Sequence, residues 1–351
     1  MREIDGCLDT IRLYDGPDIR LMEVCGTHTH NIARFGIREL LPPAIRLISG
    51  PGCPVCVTPA GFIDRAAEIS MRTGCVVYTF GDMLRVPGRK TSLLQAMAAG
   101  GSVRMLYSPL DILDCAAKQP ATTFYLTALG FETTLPLYAL LMERMLERGV
   151  RNIRLLTAVK ALMPALYWIC ENNPTIDGFI GPGHVSAILG SGVYEPLCAK
   201  YGIPLAVAGF SFEHIVAAIC DLIRQIGANT AEAHNLYPNA VSGKGNTQAL
   251  ALIERYFVKR PSVWRGLGEI DDSGYFLAPE FAQFDAGPIA EEVDEETSGC
   301  RCGDVIAGRA TPPDCGLFGR VCCPQTPHGP CMVSAEGACG IWYDNAYRTN
   351  S

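Results

Sequence analysis

The chain has 351 residues, of which 48% are hydrophobic, and a formal net charge of −7 at pH 7; it is long enough for two or three domains with apolar cores. The negative charge argues against nucleic acid as a partner, the first residues lack the apolar run of a secretory signal, and no apolar stretch reaches the ~18 residues that span a membrane. We therefore expect a cytoplasmic protein whose 16 cysteines are reduced unless they bind metal or take part in redox chemistry.

Short apolar runs recur along the chain before glycine-containing turns, and helical periodicity follows them. Because these runs are apolar on both faces, they indicate parallel strands covered by helices. The predicted strands are Ile19–Val24, Ile45–Ser49, Cys75–Phe80, Val103–Tyr107, Thr123–Ala128, Ile153–Thr157, Asp177–Ile180 and Pro204–Ala208. The clearest predicted helices are Thr134–Arg148, Met163–Asn172 and Glu213–Ile226.

Two successive blocks of this pattern, residues 1–117 and 118–235, predict two similar lobes. Residues 236–351 read instead as polar turns followed by a tail rich in Cys, Pro and Gly. That tail has too little aliphatic content to fold without cross-links, which a metal cluster would supply. The predicted fold class is therefore α/β, with two similar parallel-sheet lobes and a C-terminal Cys-rich iron-sulfur domain.

The first candidate site is the turn Cys25-Gly26-Thr27-His28, which follows the first predicted strand. Ligands bind at the carboxyl ends of strands in open parallel sheets. A cysteine at the start of the next helix would have its thiolate favoured by the helix dipole. His28 and His30 would point to different sides of that helix, so we select His28. The alternative is a small apolar cysteine and a capping histidine.

The second candidate is Gly50-Pro51-Gly52-Cys53-Pro54-Val55-Cys56, which also follows a strand. A C-x-x-C pair at a helix start supports two metal ligands or a reversible disulfide. The alternatives are half of a structural zinc site or two unreactive buried thiols. Zinc is disfavoured because no second C-x-x-C or H-x-x-x-H lies nearby.

Two more strand ends carry polar turns. Glu132 in GFETT could be a general base or a partner of a cysteine, or it could only complement a helix dipole. His184 in GPGHVS could orient a ligand, or could bond within its own turn. Because such turns recur along both predicted lobes, we expect them to meet at one cleft.

The tail contains seven cysteines within forty residues, and the spacing C-x14-C-x6-C-x16-C selects Cys300, Cys315, Cys322 and Cys339 as cluster ligands. Four thiolates favour a [4Fe-4S] cluster or zinc. Two observations favour an iron-sulfur cluster over zinc. The four ligands are separated by long intervals, and a redox-type C-x-x-C pair lies upstream. The other tail cysteines are neighbours or redox partners: Cys302, Cys323 and Cys331.

Taken together, CGTHTH, GPGCPVC, GFETT, GPGHVSAILG, WRGLG, FDA and the tail CRCG...PPDCGLFGRVCCPQTPHGPCMVSAEGAC resemble the HypD family of [NiFe]-hydrogenase maturation factors. The resemblance runs from about residue 18 to 345 in the family's order. It implies two α/β lobes and a C-terminal [4Fe-4S] domain similar to that of ferredoxin:thioredoxin reductase. It also implies a scaffold for the Fe(CN)2CO group, acting with the small chaperone HypC and with HypE and HypF, which deliver cyanide.

The resemblance also implies residue roles. Cys25, Cys53 and Cys56 become iron-site and redox thiols, and the four spaced tail cysteines become the cluster ligands. The cleft motifs hold His28, Glu132 and His184. The chain departs from the family twice: GFSF at residues 209–212 replaces the common GFEP, and CCP at residues 322–324 replaces CTP. The second change adds a thiol, Cys323, that could substitute as a ligand.

This reading favours an assembly scaffold with redox activity over a turnover enzyme, because the product leaves with a partner protein. Two other classes of protein stay open. One is a ferredoxin-dependent dithiol/disulfide reductase that uses Cys53 and Cys56 on external proteins. The other is a zinc-stabilised α/β binding protein.

Overall fold

The computed structural model describes residues 2–289 and 299–348, which form a mixed α/β protein. Its strands are β1 (Ile19–Glu23), β2 (Ile45–Ser49), β3 (Cys75–Thr79), β4 (Val103–Met105), β5 (Thr123–Gly130), β6 (Ile153–Lys160), β7 (Gly178–Pro182), β8 (Leu205–Ala208), β9 (Ala233–Asn235), β10 (Phe257–Trp264) and β11 (Gly268–Leu277). Its helices are α1 (Arg2–Arg12), α2 (Gly26–Arg34), α3 (Ile37–Leu40), α4 (Ala60–Ser70), α5 (Leu93–Ala98), α6 (Asp111–Lys118), α7 (Leu135–Glu147), α8 (Leu162–Asn172), α9 (Gly183–Leu189), α10 (Glu195–Tyr201), α11 (Phe212–Ala228), α12 (Thr247–Tyr256), α13 (Cys302–Ile306) and α14 (Ala338–Arg348). No helix within these two ranges combines the length and apolar character that crossing a bilayer requires.

The strands belong to two sheets. A five-stranded sheet has the order β2-β1-β7-β8-β9, and a six-stranded sheet has the order β10-β11-β6-β5-β3-β4. Every pairing in the first sheet is parallel, whereas β10 and β11 run antiparallel at the edge of the second. The prediction of an α/β fold with parallel strands is confirmed, and each of the predicted strands is present with small changes at its ends.

The two sheets do not follow the predicted division at residue 117. The five-stranded sheet combines β1 and β2 with β7, β8 and β9, and the six-stranded sheet combines β3 and β4 with β5 and β6. The chain thus leaves the first sheet after β2 and returns to it at β7, where Leu21 is in register with Gly178. Local periodicity predicts strands but carries no information about pairing over such a sequence distance.

The hairpin β10-β11 occupies a region where the sequence reads as polar turns. Phe257 and Trp264 are buried, while Lys259 and Arg260 between them are exposed. β11 then pairs with β6 through Gly274 and Lys160. The segment WRGLG forms the end of β10 and the turn into β11. The exposed polar positions concealed the alternation that marks a half-buried strand.

The tail is anchored on the five-stranded sheet next to β1. Arg20 Nη2 donates to the carbonyl oxygen of Gly308 at 2.8 Å, and Asn173 Nδ2 donates to that of Ala307 at 2.9 Å. Gly308 has φ +71°, and a Cβ atom there would lie 3.1 Å from Ile48 Cγ2. Only glycine combines this backbone conformation with this close approach. The tail is therefore packed against β1, β2 and the end of α8.

Candidate metal and thiol-redox site

The turns that follow β1 and β2 lie against each other. β1 and β2 are parallel neighbours in which Glu23 pairs with Ser49, so both chains leave the sheet side by side. The N–H of Gly26 donates to the carbonyl oxygen of Gly52 at 3.3 Å. A Cβ atom at Gly52 would lie 2.5 Å from the Cα of Cys25, so a side chain would force the turns apart. The CGTH and GPGCPVC motifs therefore form one structural unit.

Cys53 and Cys56 form a disulfide, with their Cα atoms 5.2 Å apart. Both side chains are buried. The N–H of Cys56 lies 3.1 Å from the carbonyl oxygen of Cys53 and 3.2 Å from its sulfur. The pair sits in a turn, and α4 begins only at Ala60, so the expectation that this motif opens a helix is wrong. The tight Pro/Gly turn itself brings the two sulfurs together.

Cys25 is the residue before α2, as the sequence predicts, and is partly buried. Burial is the main effect on its thiol and raises its pKa, and the nearby carboxylate of Glu336 raises it further. The backbone N–H groups of His28 and Thr27 act in the opposite direction. The expectation that the helix start favours the thiolate is therefore wrong for the metal-free protein, because desolvation outweighs the helix N–H groups.

His28 is fully buried, and its Nε2 lies 2.9 Å from the carbonyl oxygen of Gly209. A carbonyl oxygen can only accept, so Nε2 carries the proton and Nδ1 carries a lone pair. Nδ1 has no hydrogen-bond partner among the described residues. Burial lowers the pKa of His28 to about 4, so the ring is neutral at pH 7. His30 is exposed, in agreement with the expectation that the two histidines face different sides.

His184 lies at the start of α9 and is exposed. Its ring centre is 4.0 Å from that of Phe210, and the ring centre of His28 is 4.8 Å from the same Phe210. A charge on His184 would lower the pKa of His28, so the two imidazoles are neighbours. The loop of residues 209–212, one of the two departures from the family pattern, therefore contacts both predicted histidines.

Glu132 lies in the turn between β5 and α7 and is buried. Its Oε1 accepts from the N–H of Leu162 at 3.0 Å. Its Oε2 has no hydrogen-bond partner in the described parts of the chain. Burial raises the pKa of this carboxyl group to about 7. A carboxyl group that titrates near neutral pH is suited to proton transfer.

Tyr194 lies near the strand ends of both sheets, and the sequence motifs did not identify it. It is fully buried, and its hydroxyl lies 2.9 Å from Ser186 Oγ. Burial is the main cause that raises its pKa, and negative charge on Glu132 and Cys25 adds to the effect. Tyr194 thus lies within electrostatic range of predicted site residues from both sheets. A single tyrosine in GVYEP gives no signal that could have identified it.

The tail cysteines gather around one cavity. Apolar side chains, among them Val305, Leu317 and Phe318, complete its wall. The cysteines that line the cavity are Cys300, Cys302, Cys315, Cys322, Cys331 and Cys339. Cys323 is outside this set, and its sulfur lies 3.1 Å from Thr326 Oγ1. The four cysteines selected by spacing therefore share one apolar cavity.

Within residues 2–289 and 299–348, no three His, Cys, Asp or Glu side chains are close enough to hold a single metal ion. A [4Fe-4S] cluster needs a wider arrangement, because its ligands bind different irons of one cube. Thiols around an apolar cavity suit that requirement in donor type and surroundings. The sulfurs of Cys302 and Cys331 lie 2.8 Å apart, and the two thiols also hydrogen-bond to Cys300 and Cys339 of the spaced set.

Comparison with known sequences gives a family. A family model described as "HypD: Hydrogenase formation hypA family" matches residues 3–346. The chain belongs to the HypD family. It is 44% identical over 336 residues to the hydrogenase maturation factor HypD of Azotobacter vinelandii, covering 92% of this chain and 88% of that protein.

Two other HypD relatives also match this chain over most of its length. The hydrogenase maturation factor HypD of Escherichia coli K12 is 41% identical over 331 residues, covering 93% of this chain and 88% of that protein. The corresponding factor of Rhodobacter capsulatus is 40% identical over 352 residues, with 98% and 93% coverage. The family resemblance inferred from the motifs is confirmed.

In this HypD-family protein, the tail also reaches the CGTH turn. A Cβ atom at Gly26 would lie 2.7 Å from the carbonyl oxygen of Glu336, so the two backbones are in contact. Thr27 Oγ1 donates to Glu336 Oε1 at 3.2 Å. Glu336 thereby places a negative charge next to Cys25. The sequence suggests no link between these residues, because they come together only through the docking of the tail.

Arg265, in the WRGLG turn, connects the GPGCPVC turn with the tail. Its N–H donates to the carbonyl oxygen of Val57 at 2.9 Å, and its side chain donates to that of Pro87 at 3.0 Å. Its charge is one of the causes that lower the pKa of Cys302, after the thiols of Cys300 and Cys331. The two close cysteine pairs, 53/56 and 302/331, also belong to one continuous apolar core.

Proposed function

We propose that this HypD-family protein is the scaffold and redox centre on which the Fe(CN)2CO group of [NiFe]-hydrogenase is assembled. The observation that carries the proposal is the contact between the Cys25 turn, the Cys53–Cys56 turn and the tail at Glu336. Three sequence segments that each carry cysteines meet at one place. A role in hydrogenase maturation agrees with the family and with the names of its relatives.

Cys25 is the proposed ligand of the iron that is the cargo of this scaffold. A soft sulfur ligand suits low-spin iron that carries strong-field diatomic groups. Because burial and Glu336 raise the pKa of Cys25, the free protein holds a thiol, and iron binding would release its proton. Cys53 and Cys56 lie in the adjacent turn and would offer further sulfurs once their disulfide is reduced.

Cys300, Cys315, Cys322 and Cys339 are the proposed ligands of a resident [4Fe-4S] cluster. When bound, such a cluster supplies single electrons. Cys302 and Cys331 form a close buried pair next to these ligands. Oxidation of these two thiols to a disulfide would release the two electrons and two protons that reduction of the Cys53–Cys56 disulfide takes up.

The geometry favours a scaffold over a reductase of external proteins. Cys53 and Cys56 are only 6% and 1% exposed, so a folded substrate protein could not reach their disulfide. A diatomic ligand or an iron ion is small enough for such a site. The proposed partners are a HypC-type chaperone that carries the product and HypE, with HypF, which supplies cyanide. The proposed location is the cytoplasm.

Infrared spectroscopy tests the proposal. The protein is purified anaerobically after co-expression with the small chaperone and the cyanide-supplying proteins, and also after expression alone. We expect metal-cyanide and metal-carbonyl bands in the co-expressed complex. A complex without bands, from a protein that reduces external disulfides with ferredoxin, would establish the reductase instead. Zinc in place of iron and sulfide, found by metal and sulfide analysis of the same protein, would exclude both the scaffold and the reductase.

A further inference from the structure

Trp342 of α14 contacts Arg38 of α3. The guanidinium carbon of Arg38 lies 4.9 Å from the centre of the Trp342 ring, which is a cation–π distance. Because α14 begins at Ala338, its first turns carry both Cys339 and Trp342. The position of Arg38 therefore affects the position of Cys339, a proposed cluster ligand.

The same guanidinium reaches the carboxyl ends of β1 and β2. Arg38 Nη2 donates to Glu23 Oε1 at 2.9 Å, and the hydroxyl of Ser49 donates to the same oxygen at 2.9 Å. Glu23 is fully buried and ends β1, and Ser49 ends β2. Cys25 and Cys53 follow these strand ends within a few residues. Arg38 thus joins the base of both cysteine-bearing turns to α14.

This joint requires an arginine. A guanidinium is planar, so it can lie over an indole ring while its edge donates to a carboxylate, whereas an ammonium group cannot present the same fork of donors. Three buried atoms of the joint have no hydrogen-bond partner among the residues that the structure describes: Glu23 Oε2, Arg38 Nε and Trp342 Nε1. The contact therefore contains unpaired polar groups, so its stability depends on how these side chains are oriented.

We infer that Arg38 is a positioning residue, which holds α14 and Cys339 in a set place against the turns that carry Cys25 and Cys53. It acts through Glu23 and Trp342 rather than through the thiols themselves. The inference rests on the proposed function, in which tail and turn cysteines work together. Loosening the joint should expose the thiols on both of its sides while the sheets stay folded.

The test uses full-length protein purified anaerobically. Maleimide labelling of Cys25 is followed by mass spectrometry in the wild type, Arg38→Gln, Arg38→Lys and Trp342→Leu, together with the free energy of unfolding. Cys220 is the internal reference, because it is fully buried within α11. Cys339 is followed by the electron paramagnetic resonance signal of the reduced cluster, or by labelling where no cluster is bound.

Arg260→Gln is the matched control. Arg260 also lies over an aromatic ring, that of Phe276 at 5.8 Å, but it is exposed and belongs to β10 of the other sheet. This variant should label at the wild-type rate.

We expect Arg38→Gln and Trp342→Leu to label Cys25 severalfold faster and to change the signal or labelling of Cys339, with Cys220 unchanged. Arg38→Lys keeps a cation beside Glu23, so its free energy of unfolding should return toward the wild-type value. Cys25 should still be labelled faster in this variant than in the wild type. Trp342 is only partly buried, so Trp342→Leu remains informative if Arg38→Gln does not fold.

Wild-type labelling of Cys25 in Trp342→Leu would overturn the inference. Equal acceleration at Cys220 would also overturn it, because the variants would then act through global unfolding. Failure of the proposed function is a separate result, because it would remove the cluster or the infrared bands from the wild type and leave the labelling comparison intact.

Discussion

Thr27 donates a hydrogen bond from its hydroxyl to Glu336 at 3.2 Å, across a sequence separation of 309 residues. The contact joins the helix that begins after Cys25 to the tail segment that leads to Cys339. Gly26 lies beside it, and a Cβ atom there would be 2.7 Å from the Glu336 carbonyl oxygen. The docking of the tail on the CGTH turn therefore depends on a glycine at position 26.

Gly26→Ala should displace the tail and destabilise the protein by about 1–3 kcal/mol, as overpacking commonly does. Urea unfolding and limited proteolysis of the tail would measure the two effects. Gly227→Ala is the control, because a Cβ atom there has no neighbour within 4 Å in the described structure. That variant lies in α11 and should gain about 0.5 kcal/mol. Equal stability of the two variants would contradict the docking contact.

Cys315→Ala should lose the proposed cluster, because Cys315 lines the tail cavity. Cys323→Ala should keep about four irons and four sulfides per chain, because Cys323 lies outside that cavity and contacts Thr326. Iron and sulfide analysis of anaerobically purified protein decides both outcomes. Full iron in Cys315→Ala, or loss of iron in Cys323→Ala, would show that the ligands are assigned incorrectly.

Cys53 and Cys56 should resist alkylation in the oxidised protein and should be alkylated after the protein is reduced. The buried thiols of Cys170 and Cys198 are the control, because burial raises their pKa values to about 12 and about 11 and they form no disulfide. Mass-resolved alkylation under both conditions measures the change. If labelling at residues 53 and 56 stays constant, these cysteines have no redox role and only ligation remains for them.

Glu132 should make the free energy of unfolding depend on pH. Its folded pKa of about 7 lies above the ordinary glutamate value of 4.5, so the folded state binds more protons between these values. Wild-type stability should therefore fall as the pH rises through this window, by up to ~1.4 kcal/mol for each unit of pKa difference. Glu132→Gln keeps an oxygen for the Leu162 N–H and should lose this dependence. Parallel pH profiles of the two proteins would contradict the raised pKa.

The sequence predicted the parts of the fold that local pattern determines. The strands and the positions of the CGTH and GPGCPVC turns follow from apolar runs and glycine-rich turns. The pairing of β1 with β7, which inserts β3 to β6 into another sheet, could not be predicted because it depends on long-range contacts. The hairpin β10-β11 was missed because its exposed positions are polar.

The candidate site was predicted only in part for the same reason. Motifs identified Cys25 and His28, but not Glu336, Tyr194 or Arg38, which approach the site from other segments of the chain. The expected preference of Cys25 for the thiolate was also wrong. That expectation considered only the helix start, whereas the burial of the thiol and the charge of Glu336 depend on the tertiary structure.

The central claim is that Cys25 holds the iron that carries cyanide and carbon monoxide, and infrared spectroscopy of one variant tests it most directly. Cys25→Ala and the control Cys75→Ala, on β3 of the other sheet, are each co-expressed with the small chaperone and the cyanide-supplying proteins and purified anaerobically. We expect the metal-cyanide and metal-carbonyl bands to disappear in Cys25→Ala alone, while the absorption of the tail cluster persists in both variants. Bands of wild-type intensity in Cys25→Ala would show that the iron is held by other ligands and would contradict the account.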